Sequence, residues 1–147
     1  MKILIINGPN INFIGKGRSQ KHYGNQTLEE VVIQCTELAK QYNTILHHVQ
    51  SNHEGEIITH IQNAKDNNYT HIIINAGAYT HTSIAIADAL AIHDIHITEV
   101  HMSNIYAREK FRHKSYISCH ANHIMIGMGP AVYKTAVYSI VSRANTA

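Results

Sequence analysis

The sequence predicts an open α/β fold, a five-stranded parallel sheet with helices on both faces, and three observations lead there. Five apolar runs of strand length, mostly rich in Ile and Val, recur along the chain. Apolar residues at three- and four-residue spacing fill the stretches between them, which is the period of a helix with one buried face. Three of the runs are near-continuous, as strands covered on both faces are.

The first strand is Lys2 to Ile6. A polar segment from Gly15 to Gln26, carrying three glycines, separates it from the first helix and has the composition of a loop able to close over a ligand. Thr27-Leu28-Glu29-Glu30 is a capping box that opens the helix, and Leu28, Val31, Val32, Cys35, Leu38 and Ala39 form its apolar face. The second strand is Thr44 to Val49. A helix from Glu54 to Asn67 follows, with Ile57, Ile58 and Ile61 inward. The third strand is His71 to Ile74, and the helix after it covers Thr82 to Ile92. That helix is apolar all round except for Asp88, so something must bury it, and a second subunit is the candidate; a carboxylate buried there needs a partner. The fourth and fifth strands are His96 to Val100 and His123 to Ile126. The last helix opens at Pro130, a favoured first helical position, with Tyr133, Val137, Ile140 and Val141 as its stripe. Strand and helix alternating in this way require parallel crossovers, and with five strands the expected order is 2-1-3-4-5, the flavodoxin-like arrangement. No repeat, low-complexity tract or linker interrupts the pattern, so residues 1–147 read as one domain with a flexible loop at about 15–26.

Composition narrows the function classes. At 147 residues, folding buries roughly 70% of the surface the unfolded chain exposes, so a hydrophobic core forms without disulfide or metal staples. Lys plus Arg number 12 against 10 for Asp plus Glu, a formal charge of +2, which lacks the basic stripe of a nucleic-acid binder. Thirteen His residues add positive charge on mild acidification. Only Cys35 and Cys119 are available for bridges, and the apolar run at the N-terminus is too short for a signal peptide. No stretch reaches the roughly 18 apolar residues of a membrane span. The expectation is a cytoplasmic enzyme-sized domain with no membrane and no nucleic-acid partner.

In open parallel sheets ligands bind beyond the carboxyl ends of the strands. Those positions hold Asn7-Gly8-Pro9-Asn10-Ile11-Asn12, Gln50-Ser51-Asn52-His53-Glu54, Asn75-Ala76-Gly77-Ala78-Tyr79-Thr80-His81 and His101-Met102-Ser103-Asn104. A rim of amides, hydroxyls and imidazoles with few carboxylates suits a hydroxylated, negatively charged small molecule. Asn12 and Asn75 serve equally well as turn residues or as ligand donors. Glu99 and His101, two apart on one strand, point to one face, so the carboxylate can fix the imidazole tautomer; a surface pair is the plainer alternative. Arg18 and Tyr23 lie five residues apart in the glycine-containing loop. A guanidinium in contact with a phenol favours phenolate, which makes the tyrosine a base, although such residues are often solvent-exposed decoration. Gly127-Met128-Gly129 follows the wrong strand for a dinucleotide fingerprint and lacks its third glycine. Cys119, His120 and His123 have no second cluster at zinc-site spacing, and His47-His48 alternate faces on a strand.

Six blocks, in order and at matching spacing, resemble one family, the type II 3-dehydroquinate dehydratases. They are Asn7 to Asn12, Arg18 with Tyr23-Gly24, Gln50 to Gly55, Asn75 to Ser83, Glu99 to Asn104, and Arg108-Glu109-Lys110-Phe111-Arg112. The resemblance implies dehydration of 3-dehydroquinate to 3-dehydroshikimate through an enolate, without metal, cofactor or lysine Schiff base. It implies Tyr23 as the base, Arg18 holding it as phenolate, Asn12 positioning a water on the enolate oxygen, and His101, oriented by Glu99, protonating the departing hydroxyl. Asn75, His81, Met102, Ser103 and Arg112 match substrate-binding positions. Asp88 matches one that reaches a neighbouring subunit's site, in a dodecamer built from trimers. Three positions depart from the family pattern. Gln20 stands where the loop usually has Pro, implying a more mobile lid, and His123 and Val132 stand where glycines are favoured. Two other readings compete: a flavodoxin-like module binding FMN or a phosphorylated ligand, whose first loop should be a Ser/Thr/Gly cradle, and a lysine-dependent dehydratase, which needs a buried Lys at a strand end.

Overall fold

A computed structural model describes residues 1–144, and in it one parallel sheet carries five strands in the order β2-β1-β3-β4-β5. The strands are β1 (Lys2–Asn7), β2 (Ile45–Gln50), β3 (His71–Asn75), β4 (His96–His101) and β5 (His123–Ile126). The helices are α1 (Gln20–Tyr23), α2 (Leu28–Gln41), α3 (Glu54–Gln62), α4 (Ile84–Leu90) and α5 (Ala131–Ala144). The order expected from the alternation is the order observed, with helices on both faces.

Successive strand residues point to opposite faces, and the core divides accordingly. Ile3, Ile5, Ile73 and Val100 pack with Val31 and Cys35 of α2 and Val137 and Val141 of α5. Leu4, Ile6, Ile72, Ile74 and Ile97 pack on the other face with Ile57 and Ile61 of α3 and Ile86 and Leu90 of α4. Each fully buried aliphatic side chain stabilises the fold by about 1.5–3 kcal/mol relative to leaving it in water. Because both faces are covered at β1 and β3, these strands need no polar side and read as near-continuous apolar runs.

Register sets the rim. Asn7 pairs with Gln50 on one side and Asn75 on the other, which brings three polar strand ends to one level. Gly8 locks this arrangement: its amide donates to the Asn75 carbonyl at 2.8 Å, and a Cβ there would stand 2.3 Å from the Ala76 oxygen.

Several boundaries differ from the sequence expectation, each for a local reason. α3 stops at Gln62 and not at Asn67, because residues 63–68 form turns that end with Asn68 in the left-handed region at φ 60°, a conformation Asn tolerates. α4 begins after Ser83, whose hydroxyl accepts from the Ile86 amide at 2.9 Å; Thr82 lies outside because Gly77–His81 is coiled in a 3-10 turn. α5 starts one residue past Pro130. β1, β3 and β4 each continue one residue further, and β2 is displaced by one because the Thr44 amide bonds the Ala39 carbonyl at the end of α2. The capping box at Thr27 forms as expected, with Thr27 N donating to Glu30 at 2.8 Å and Glu30 N to Thr27 at 3.3 Å.

On α4, Ile86, Ala87, Ala89 and Leu90 are buried by the sheet, while Asp88 is exposed in the single chain. Among the described residues no helix is long and apolar enough to cross a membrane.

Candidate active site

Tyr23 is the centre of the rim. The four-residue α1, tied by Tyr23 N to the Ser19 carbonyl at 3.1 Å and Gly24 N to the Gln20 carbonyl at 2.9 Å, turns its ring inward until the residue is only 7% exposed. The segment expected as a flexible loop carries a helical turn and buries an aromatic side chain. Arg18 Nη2 donates to the phenol oxygen at 2.9 Å, and its guanidinium carbon lies 4.0 Å from the ring centroid. A second arginine, Arg108, donates through Nη1 to the same oxygen at 2.9 Å and to Ser103 Oγ at 3.0 Å. Arg108 follows the 3-10 turn Ile105–Ala107, which Asn104 caps by accepting from Tyr106 N at 3.1 Å. Arg108 lies in one of the blocks that carry the family resemblance but has no role from sequence alone; its contact with Tyr23 spans 85 residues, so no spacing signals it.

The imidazole side of the cavity is built on β4. His101 Nε2 lies 2.6 Å from Glu99 Oε1, and a carboxylate only accepts, so Nε2 carries the proton and Nδ1 is left for other work. Glu99 is 0% exposed. Burial works against its ionisation, but hydrogen bonds from His101, Ser118 and Ser115 outweigh that and hold its carboxyl below the usual range. His81 stacks near His101, centroids 6.2 Å apart, and gives its Nδ1 proton to the Lys114 carbonyl at 2.7 Å. Desolvation, with His101 and Arg112 nearby and opposed by the Lys114 carbonyl bond, lowers the His81 pKa and favours a neutral ring.

Asn75 is oriented from behind. Its Nδ2 donates to the Tyr133 hydroxyl at 2.8 Å, its Oδ1 accepts from Gly77 N at 3.3 Å, and Tyr133 in turn donates to Asn7 Oδ1. Burial pushes the fully enclosed Tyr133 phenol upward, so it stays a neutral donor.

These side chains share one cavity of about 30 Å³, lined by Arg18, Tyr23, Asn75, His81, His101, Met102, Ser103, Arg108 and Arg112 together with Ile11, Gly77, Ala78 and Ile105. Of the residues expected at the site, Asn12, Glu99 and Asp88 do not line it. Glu99 stands behind His101; Asn12 sits in the adjoining 3-10 turn Ile11–Phe13 with its Oδ1 buried and without a partner among the described residues; Asp88 is on the exposed side of α4. Three guanidinium groups face the cavity, and Arg18 Nη1 is buried there with no protein partner among the described residues. The arrangement offers a phenol under two cationic donors, a carboxylate-backed imidazole and an excess of positive charge for an anionic ligand. Among the described residues no group of three or more His, Cys, Asp and Glu is placed to hold a metal ion. Gly127 and Gly129 serve the backbone, donating to the His101 and Met102 carbonyls at 3.0 and 2.9 Å.

Comparison with known proteins identifies relatives in both sequence and fold. The family model of dehydroquinase class II matches residues 1–141. A 3-dehydroquinate dehydratase of Polynucleobacter asymbioticus is 48% identical over 141 residues, covering 96% of this chain and 94% of that protein. A catabolic 3-dehydroquinase of Penicillium rubens is 48% identical over 135 residues, covering 92% of this chain and 86% of its own length. The crystal structure of a type II dehydroquinase from Butyrivibrio crossotus superposes with a TM-score of 0.92 at 45% identity, covering 97% of both chains. With sequence and fold matching over nearly the whole length, the chain belongs to the dehydroquinase class II family.

Proposed function

We propose that this chain removes water from 3-dehydroquinate to give 3-dehydroshikimate, by an elimination that passes through an enolate. Tyr23, whose phenol oxygen accepts from Arg18 and Arg108, takes the proton beside the ketone as the base. Asn12 holds a water against the enolate oxygen, and His101 protonates the departing hydroxyl while Glu99 stabilises the imidazolium that precedes transfer. Asn75, His81, Met102, Ser103 and Arg112 bind the hydroxyls and carboxylate of the substrate, and Asp88 contributes to the site of a neighbouring copy. The observation that carries this reading is the double arginine contact on one phenol oxygen, 2.9 Å from each guanidinium, in the same cavity as a carboxylate-backed imidazole. A base and an acid that need not exchange protons with each other are what an elimination requires.

A cavity of about 30 Å³ is far below the roughly 300–1,000 Å³ of small-molecule sites. The segment 15–26, which supplies Arg18 and Tyr23, therefore opens to admit substrate and closes to complete the site. A larger cavity of about 540 Å³ lies against the same segment and shares Met102, Ser103 and Arg108, so opening there enlarges the site directly.

The test is to follow the near-ultraviolet absorbance of the conjugated enone formed from 3-dehydroquinate by the wild type and by Tyr23→Phe. The wild type should turn over and the variant should lose turnover while keeping its fold. Retained turnover in Tyr23→Phe would remove Tyr23 from the mechanism, and a flat wild-type trace would remove the dehydratase reading.

A further inference from the structure

Between the 3-10 turn Lys110–Arg112 and β5 the chain crosses behind both imidazoles of the cavity, and side-chain and backbone bonds tie that crossing to them. Ser118 donates its hydroxyl to Glu99 Oε2. Ser115 donates at 3.0 Å to Glu99 Oε1, the oxygen that also receives the His101 proton at 2.6 Å. Ser115 Oγ accepts from the Ile117 and Ser118 amides at 3.2 and 3.1 Å, so its lone pairs are used and its own proton is directed at the carboxylate. One residue earlier, the Lys114 carbonyl takes the His81 proton at 2.7 Å, and Tyr116 N donates to the Thr80 carbonyl at 2.9 Å, fastening the crossing to the turn that carries His81.

We infer that Ser115 and Ser118 are positioning residues for the acid step: they occupy the Glu99 carboxylate on both oxygens so that it holds the His101 imidazole in one tautomer and one orientation. The inference rests on the dehydratase reading above. A carboxylate removed entirely from water has about four acceptor directions to fill, and one left short of donors rotates toward whatever donor is near or takes up a proton. Either change withdraws the charge that stabilises imidazolium. The groups around Glu99 are His101 on its own strand, Ser115 and Ser118 on the crossing, and the His81 ring stacked on His101. No acidic group is among them, so the two hydroxyls and the imidazole are what keep it ionised. Neither serine is among the cavity-lining residues, so loss of a serine removes no direct contact with a bound ligand.

The experiment measures kcat, KM and the pH dependence of kcat for wild type, Ser115→Ala, Ser118→Ala and Ser118→Thr, and repeats the alanine variants on Glu99→Gln. Each alanine variant should lower kcat about tenfold with KM changed less than about twofold, as for an interaction that acts in the transition state. The acidic limb of kcat should move to higher pH, since a carboxylate that loses a donor protonates more readily. Ser118→Thr keeps the hydroxyl and should recover most of the loss. On Glu99→Gln the alanine changes should add no further loss, because the charge they serve is gone. Ser118→Cys, similar in volume but a weak donor, replaces Ser118→Ala if that chain does not fold. Unchanged kcat in the serine variants, or a full additional loss on Glu99→Gln, would overturn the inference while an active wild type upholds the dehydratase reading. An inactive wild type would overturn both.

Discussion

Arg108 donates through Nη1 to the Tyr23 phenol oxygen at 2.9 Å, completing from a distant loop the cationic pair that Arg18 begins. The same nitrogen bonds Ser103 Oγ at 3.0 Å, so one guanidinium arm ties the Tyr23 phenol to the chain just past β4. Removing a charge-assisted hydrogen bond costs about 1.5–3 kcal/mol, which is roughly a 10- to 100-fold loss of rate when the bond acts in the transition state. Arg108→Ala should lower kcat by that amount. Arg108→Lys should not restore it, because a compact ammonium on a flexible stem lacks the rigid fork that reaches both partners. Steady-state kinetics on the two variants checks this, and wild-type kcat in Arg108→Ala would mean that the Arg108 contact with Tyr23 has no part in turnover.

The site was legible where its parts are local. Glu99 and His101 are two apart on one strand, so strand alternation makes that pair a candidate, whereas Arg18 and Tyr23, five apart in one loop, stand out from loop decoration only through the resemblance to the dehydratase family. Arg108 is legible only through the fold, because the contact depends on how the chain returns after β4. Tyr133 lies on the apolar stripe of α5 and reads as core; that its hydroxyl reaches Asn75 and Asn7 follows from where α5 lands on the sheet. The sheet order was legible because alternating elements leave few parallel topologies. The end of α3 was not, since Ile57 and Ile61 keep the helical period almost to the point where two asparagines turn the chain.

Gly8 makes the rim possible by having no side chain. A Cβ there would meet the Ala76 carbonyl oxygen at 2.3 Å and its carbon at 2.5 Å, and backbone on both sides has little freedom to yield. Gly8→Ala should destabilise by about 2–3 kcal/mol, the usual scale for overpacking at a tight position, and should lower kcat because Asn75 shifts with its strand end. Gly55 is the contrasting case: it is in the first turn of α3 with open space around it, and Gly55→Ala should stabilise by about 0.5–1 kcal/mol. Urea midpoints for the two variants should move in opposite directions.

His71, His96 and His123 stack across β3, β4 and β5 at the end of the sheet away from the rim, with centroids 5.0 Å apart at each step. Burial, then His96 and the N-terminal amine, push His71 down to about 4 from its ordinary 6.5. Burial, then His123 and Arg143, also lower His96. Thr70 Oγ1 lies 2.9 Å from His71 Nδ1, and Arg143 Nη1 lies 2.6 Å from His123 Nε2. A histidine whose pKa is depressed on folding binds fewer protons folded than unfolded. Its contribution is therefore complete above pH 6.5 and is lost as pH falls toward 4. The His71 shift alone would amount to about 3 kcal/mol at about 1.4 kcal/mol per unit, and solvent access to a half-buried ring reduces that to about 1–2 kcal/mol. The His71 contribution to the unfolding free energy should fall by about that amount between pH 7 and pH 4, and His71→Phe should remove that part of the total slope. Equal slopes in wild type and variant would show that the ladder does not set the acid response.

α4 carries Ile84 and Asp88 on one line with Ile92 just past its end, and the two isoleucines remain 59% and 55% exposed in the single chain. Leaving such side chains in water forgoes roughly 1 kcal/mol or more each, and a carboxylate set between them at no desolvation cost is placed to meet a polar group of whatever covers the stripe. A second copy of this chain is the expected cover, with Asp88 reaching its cavity. Sedimentation should give a particle heavier than the 16.5 kDa chain. Ile84→Asp puts a second carboxylate four residues from the first and should shift the distribution toward smaller species. Asp88→Ala leaves the apolar contact in place and should raise KM for 3-dehydroquinate more than it changes assembly. The two variants thus separate what the stripe does for association from what its charge does for binding, and an unchanged particle together with an unchanged KM would place Asp88 outside any shared site.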